Sequence, residues 1–163
     1  MQSQSLRFET EPNFFIIGEG WGNPTAPPII LLHGGGQTHH SWGDTARKLA
    51  EHGWYAVSYD ARGHGVSSWS DKGNYLTDAL VADLKVIIQQ VGSKPALIGA
   101  SMGGITSLVL DGESSESLVS AVILVDIAPK AEQKGIERIF AFMSSHLENG
   151  FASLEEAAAA VAA

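Results

Sequence analysis

The chain has 163 residues, 44% hydrophobic and 17% charged, with a formal net charge of −8 and no cysteine. That length suits one domain with one good core. The acidic balance argues against nucleic acid or an anionic membrane as partner, since both require a cationic surface, and without cysteine there are no disulfides, thiolate nucleophiles or thiolate-held metals.

The first residues, "MQSQSLRFETE", lack the basic and apolar regions of a secretory signal. No later run reaches the roughly 18 apolar residues of a membrane span, so a cytoplasmic protein is expected. "SLRFETEPNFFIIGEG" reads as a leading antiparallel pair of strands at one edge of a sheet. "PPIILLHG" (27–34) is a continuous apolar run ended by glycine, as expected of a strand covered on both faces. Ser41 with Asp44 makes a capping-box pattern for a helix carrying Trp42, Ala46, Leu49 and Ala50 on one face, with Gly53 just past its end. "WYAVSYD" (54–60) is a further strand, and residues 61–73 are a glycine-rich surface loop. Leu76, Leu80, Leu84, Ile87, Ile88 and Val91 predict a helix over about 75–92. "PALIGAS" (95–101) is a strand, a helix begins behind Ser101 and runs to Gly112, and "SAVILVD" (120–126) is another strand.

Strand and helix alternating in this way predict an α/β fold, a mostly parallel sheet with helices on both faces. After Pro129 the pattern is helical only, and Ser153 with Glu156 is a second capping box. The expected division is 1–130 for the sheet-bearing portion and 131–163 for the start of a helical cap.

In parallel sheets, ligands bind outside the carboxyl ends of the strands. The core strands end at His33-Gly34, Asp60, Ser101 and Asp126, so these groups should share one edge. Gly99-x-Ser101-x-Gly103 between a strand and a helix is the nucleophile-elbow pattern, in which a sharp turn exposes the serine hydroxyl and needs small flanking residues. The helix behind it aims backbone N–H groups at a developing oxyanion. His33-Gly34-Gly35-Gly36 reads alone as a flexible loop, a phosphate cradle or half of an oxyanion hole. Neither GxxxxGK[ST] nor GxGxxG is present, and the pairing with the elbow favours the last reading.

Four motifs, "HGGGQTHHSW" (33–42), "YDARGHGVSSW" (59–69), "GASMGG" (99–104) and "LVDIAP" (124–129), together resemble the N-terminal part of an α/β-hydrolase of the non-haem-peroxidase or carboxylesterase-like branch. The resemblance implies Ser101 as nucleophile, with the backbone N–H groups of Met102 and Gly35 as oxyanion donors. It also implies bracing roles for His33, Asp60, Arg62 and His64. It implies acyl transfer from a small ester-like substrate, with peroxide as an alternative acceptor, and no cofactor or metal.

The fold's chain order is Ser, then Asp or Glu, then His. Only His146 follows Ser101, and it falls where the cap would begin, so it reads as a solvated helix residue rather than the base. Asp126 is open to two readings: the acid, or a turn residue with the acid further along. The chain is therefore expected to stop before its catalytic histidine. It would then expose "SAVILVD" as a sheet edge open to a homo-oligomer or strand-swapped dimer. The competing expectation is a non-catalytic hydrolase-like chain that binds small molecules or a partner. The adjacent pair His39-His40 invites a metal reading, but no neighbouring carboxylate or cysteine in sequence completes a site, and a surface or pocket-rim role is expected.

Overall fold

The continuous apolar runs at 28–32 and 55–59 form strands whose two faces both find cover. In the computed structural model, which describes residues 2–127, 132–145 and 150–162, the strands are β1 (Gln4–Glu11), β2 (Phe14–Trp21), β3 (Pro28–Leu32), β4 (Tyr55–Tyr59), β5 (Ala96–Ala100) and β6 (Ala121–Val125). The helices are α1 (Gly43–Glu51), α2 (Thr77–Val91), α3 (Met102–Glu113), α4 (Gln133–Ser144) and α5 (Leu154–Ala162). β3 and β4 bury every residue. Along β3, Ile30 and Leu32 turn to a core shared with Leu84 and Ile87 of α2 and Leu110 of α3. The alternate residues Ile29 and Leu31 turn to a smaller core with Ala46 and Leu49 of α1. Period-two alternation between two apolar layers is why the run shows no polar face.

The six strands form one sheet in the order β1-β2-β4-β3-β5-β6. β1 pairs antiparallel with β2, and β2 antiparallel with β4, while β4, β3, β5 and β6 run parallel. The chain leaves β3 toward β4 on one side and later returns to place β5 on the other. The carboxyl ends of β3 and β5 therefore flank the topological switch point, where open α/β sheets hold their ligands. β6 stands at the sheet edge with β5 as its one partner strand among the described residues.

The chain divides into two compact units, Met1–Pro129 and Lys130–Ala163. In the second, α5 is capped as its sequence suggests: the Glu156 N–H donates to Ser153 Oγ over 3.1 Å, and the Glu156 carboxylate accepts the Ala152 N–H over 2.7 Å.

Two local expectations need correction. Ser41 and Asp44 form no capping box. A 3-10 turn spans His39–Trp42, α1 starts at Gly43 with no side-chain cap, and Asp44 meets Arg47 at 3.4 Å instead. The turn is held upstream, where the His39 N–H and ring both bond Asp60. Leu76 is not on the buried stripe of α2: the helix starts one residue later and leaves Leu76 72% exposed. Gly53 does terminate α1, with φ +88 and its N–H donating to the Ala50 carbonyl.

Candidate active site

Ser101 occupies the junction of β5 and α3 with φ 44 and ψ −108, a left-handed conformation rare outside glycine. Its side chain is exposed. The turn is possible because Gly99 and Gly103, two residues to either side, have no Cβ. A methyl on Gly99 would strike the carbonyl of Gly103 and the nitrogen of Gly104. One on Gly103 would lie 2.6 Å from the Leu32 side chain of β3. The Ser101 N–H donates to the Val125 carbonyl of β6, and its own carbonyl accepts the Ile105 N–H at the start of α3. The N–H of Met102 is in the first turn of α3, where backbone donors lack intrahelical acceptors.

The loop after β3 runs beside this elbow. A Cβ on Gly34 would sit 3.6 Å from Ser101 Cβ. Of the three consecutive glycine N–H groups, that of Gly34 donates to Gln37 Oε1 and that of Gly36 to His64 Nε2. The N–H of Gly35 has no hydrogen-bond acceptor among the described residues. Gln37 was not anticipated from the sequence; its N–H also returns to the Gly34 carbonyl, closing the loop into a turn.

Around the loop, the buried residues His33, Asp60 and Arg62 are each held by several hydrogen bonds. His33 donates from Nδ1 to the Gly34 carbonyl and accepts the Ala61 N–H at Nε2, which defines a neutral tautomer. Burial holds its pKa below the ordinary histidine value. Asp60 accepts the N–H groups of His39 and Val66 and the His39 ring. Burial alone would raise its pKa, but these bonds outweigh burial and hold it below the usual carboxylate value. Arg62 grips Asp83 of α2 in a two-pronged ion pair, 2.7 Å on each arm, and also reaches Glu11. The Asp83 carboxylate chiefly raises the Arg62 pKa. The signal for Asp83 was available, as a single acid among the apolar positions 80, 84 and 87 of one helix face.

A cleft of about 170 Å³ opens beside the elbow, lined by Met102, Leu80, His64, Trp69 and Tyr75. Trp69 meets Tyr75 edge-on at 6.4 Å between ring centres. Asp126 ends β6 with φ 53 and is exposed. Neither its carboxylate nor Ser101 Oγ has a hydrogen-bond partner among the described residues. His146 lies outside the described residues. The fold also supplies what the sequence around His39 and His40 did not show, since Glu19 of β2 brings a carboxylate to the pair.

The sequence matches the profile of the alpha/beta hydrolase fold over residues 27–156. The chain belongs to the alpha/beta hydrolase family. The chain is 35% identical to Esterase Rv0045c of Mycobacterium tuberculosis over 118 residues, covering 72% of the chain and 38% of that protein. It is 34% identical to the sn-1-specific diacylglycerol lipase ABHD11 of Xenopus tropicalis over 132 residues, covering 78% of the chain and 40% of the lipase. Among solved structures, a bromoperoxidase from Bacillus anthracis superposes with a TM-score of 0.76 at 25% identity, covering 90% of this chain and 56% of that one. The chain thus spans about two fifths of the length of these curated relatives. No helix among its described residues is long and apolar enough to cross a membrane.

Proposed function

We propose that this hydrolase carries out acyl transfer on ester substrates with Ser101 as its nucleophile. The observation that carries the reading is the strained, exposed Ser101 at the head of α3, flanked by glycines and lying against the loop after β3. Ser101 Oγ attacks the ester carbonyl. The oxyanion is held by the N–H of Met102 at the helix start and by the N–H of Gly35, the one of its three glycines without an acceptor among the described residues. The alkoxide leaves with a proton, and water then attacks the acyl-serine to release the acid and restore the hydroxyl. The cleft lined by Trp69, Tyr75, Leu80 and Met102 favours an apolar portion of the ester.

The proton on Ser101 Oγ needs a base, normally a histidine oriented by a carboxylate. No described histidine hydrogen-bonds Ser101, and the chain covers 38% of its esterase relative. We therefore assign the base, and with it the acid, to residues beyond these 163, with Asp126 as the alternative acid. The 163-residue chain alone is then expected to turn over p-nitrophenyl acetate slowly or not at all. A fluorophosphonate probe tests the assignment on the longest natural form of the protein, where fast labelling abolished by Ser101→Ala is expected. Failure of that form to label would overturn the nucleophile assignment and favour a hydrolase-like chain that binds without catalysis. Vigorous turnover by the 163-residue chain, lost in both Ser101→Ala and His146→Ala, would make His146 the base.

A further inference from the structure

We infer that Glu19, His39 and His40 form a binding site for one divalent transition-metal cation of the zinc class, separate from the elbow. The three residues offer one donor atom each, all within 4.8 Å of one another. Glu19 comes from β2, and the two histidines from the 3-10 turn that follows the glycine loop. Three features make the cluster more than a chance approach.

First, His39 is oriented like a metal ligand. It is 5% exposed, and its Nδ1 is 2.8 Å from the Asp60 carboxylate, which also accepts its backbone N–H. Nδ1 is therefore the donor nitrogen, and the lone pair is left on Nε2, 3.9 Å from Glu19 Oε1. A carboxylate behind a histidine, opposite the liganding nitrogen, is the arrangement that fixes tautomer and ring direction at metal sites. Second, His40 joins its neighbour instead of pointing away, with ring centres 3.9 Å apart and planes inclined at 44°. Third, the movement required is small. Tetrahedral bonds of about 2.0–2.1 Å put ligand atoms roughly 3.3 Å apart, so the 3.9 Å pair must close by roughly half an ångström and any wider pair by at most about 1.5 Å. His40 is exposed and Glu19 half-buried, so both can move, while His39 stays fixed by Asp60.

Two imidazoles and one carboxylate match the donor preference of zinc over magnesium or calcium, which prefer all-oxygen shells. The exposed side at His40 leaves a fourth position for water. Bound metal would clamp β2 to the turn that leads out of the glycine loop.

The test is isothermal titration of tag-free protein with Zn2+, together with thermal unfolding and the visible spectrum of added Co2+. Expected are one saturable site, an upward shift in Tm with Zn2+, and a four-coordinate Co2+ spectrum. His40→Ala and Glu19→Gln should each weaken binding at least tenfold and remove the thermal shift, while His52→Ala on α1 changes neither. No saturable uptake by the folded wild-type protein would overturn the site, as would equal affinity in the His40→Ala/Glu19→Gln double variant. A loss of Tm in Glu19→Gln without any Zn2+ uptake by wild type would mean that His39 is a protonated bridge between Glu19 and Asp60, which also overturns it.

Discussion

Ala61 donates its backbone N–H to Nε2 of His33 over 2.9 Å, and so ties the loop after β4 to the glycine loop after β3. The bond exists only while His33 is neutral, because a proton on Nε2 would face the Ala61 N–H. His33 has its pKa lowered from 6.5 by burial. The unfolded chain therefore binds a proton before the folded one does. The stability contribution is complete above about pH 6.5 and is lost as pH falls from there toward the lower folded value. Urea unfolding at pH 7.5 and 5.5 should show the wild-type midpoint falling, by up to about 1.4 kcal/mol per pH unit. His33→Gln, which can both donate to Gly34 and accept from Ala61, should flatten that slope. An unchanged slope in the variant would refute the assignment. Asp60 acts lower on the scale: its depressed pKa adds stability above the ordinary value of 3.8, lost as pH falls through the folded value.

The Arg62–Asp83 pair is buried on both sides, at 2% and 3% side-chain exposure. Removing Asp83 leaves the buried guanidinium with only the exposed Glu11 carboxylate as counter-charge, so Asp83→Ala should destabilise the protein by up to about 3–5 kcal/mol. The double replacement Arg62→Met/Asp83→Leu should cost less than the Asp83→Ala change alone. Denaturant midpoints decide this, and a double variant that is worse than the single would rule out the charge argument.

What the sequence conveyed and what it withheld divide along a physical line. β3, β4 and β5 were legible because strands covered on both faces need continuous apolar runs, and the elbow was legible because a turn at φ 44 tolerates only small neighbours such as Gly99 and Gly103. The order of motifs also placed the ends of four strands, at His33-Gly34, Asp60, Ser101 and Asp126, on one edge of the sheet, as the parallel pairing of β3, β4, β5 and β6 requires. The side-chain partnerships were not legible. Arg62 meets Asp83 across 21 residues and His39 meets Asp60 across 21, because the fold, not local spacing, brings them together. The same holds for Glu19, whose approach to His39 and His40 depends on β2 pairing antiparallel with β4. At Ser41, the local capping preference gave way to the tertiary anchor on His39.

β6 leaves one face uncovered in the described structure, with Ile123 48% and Val125 38% exposed, on a strand whose outer edge is unpaired. Such an edge is a template for another chain. The 163-residue protein should associate with itself as concentration rises, and Ile123→Lys should suppress that association. Sedimentation velocity across a concentration series reads this out. A monomer at every concentration would refute it.

Ser101 should show a conflict between stability and chemistry. Its φ of 44 and ψ of −108 cost of order 1–3 kcal/mol for a residue with a Cβ. Glycine adopts these angles without that strain, but loses roughly 0.5–1 kcal/mol through the added freedom of its unfolded chain. Ser101→Gly should therefore be more stable than Ser101→Ala by about 1 kcal/mol, although both remove the hydroxyl and both should abolish fluorophosphonate labelling. The comparison isolates the backbone, since the two variants share the same lost chemistry. Equal midpoints in urea for the two variants would mean that the turn stores no strain at Ser101. A glycine variant above wild type would show that the exposed hydroxyl is retained at the expense of stability, as expected of a nucleophile and not of an ordinary loop serine.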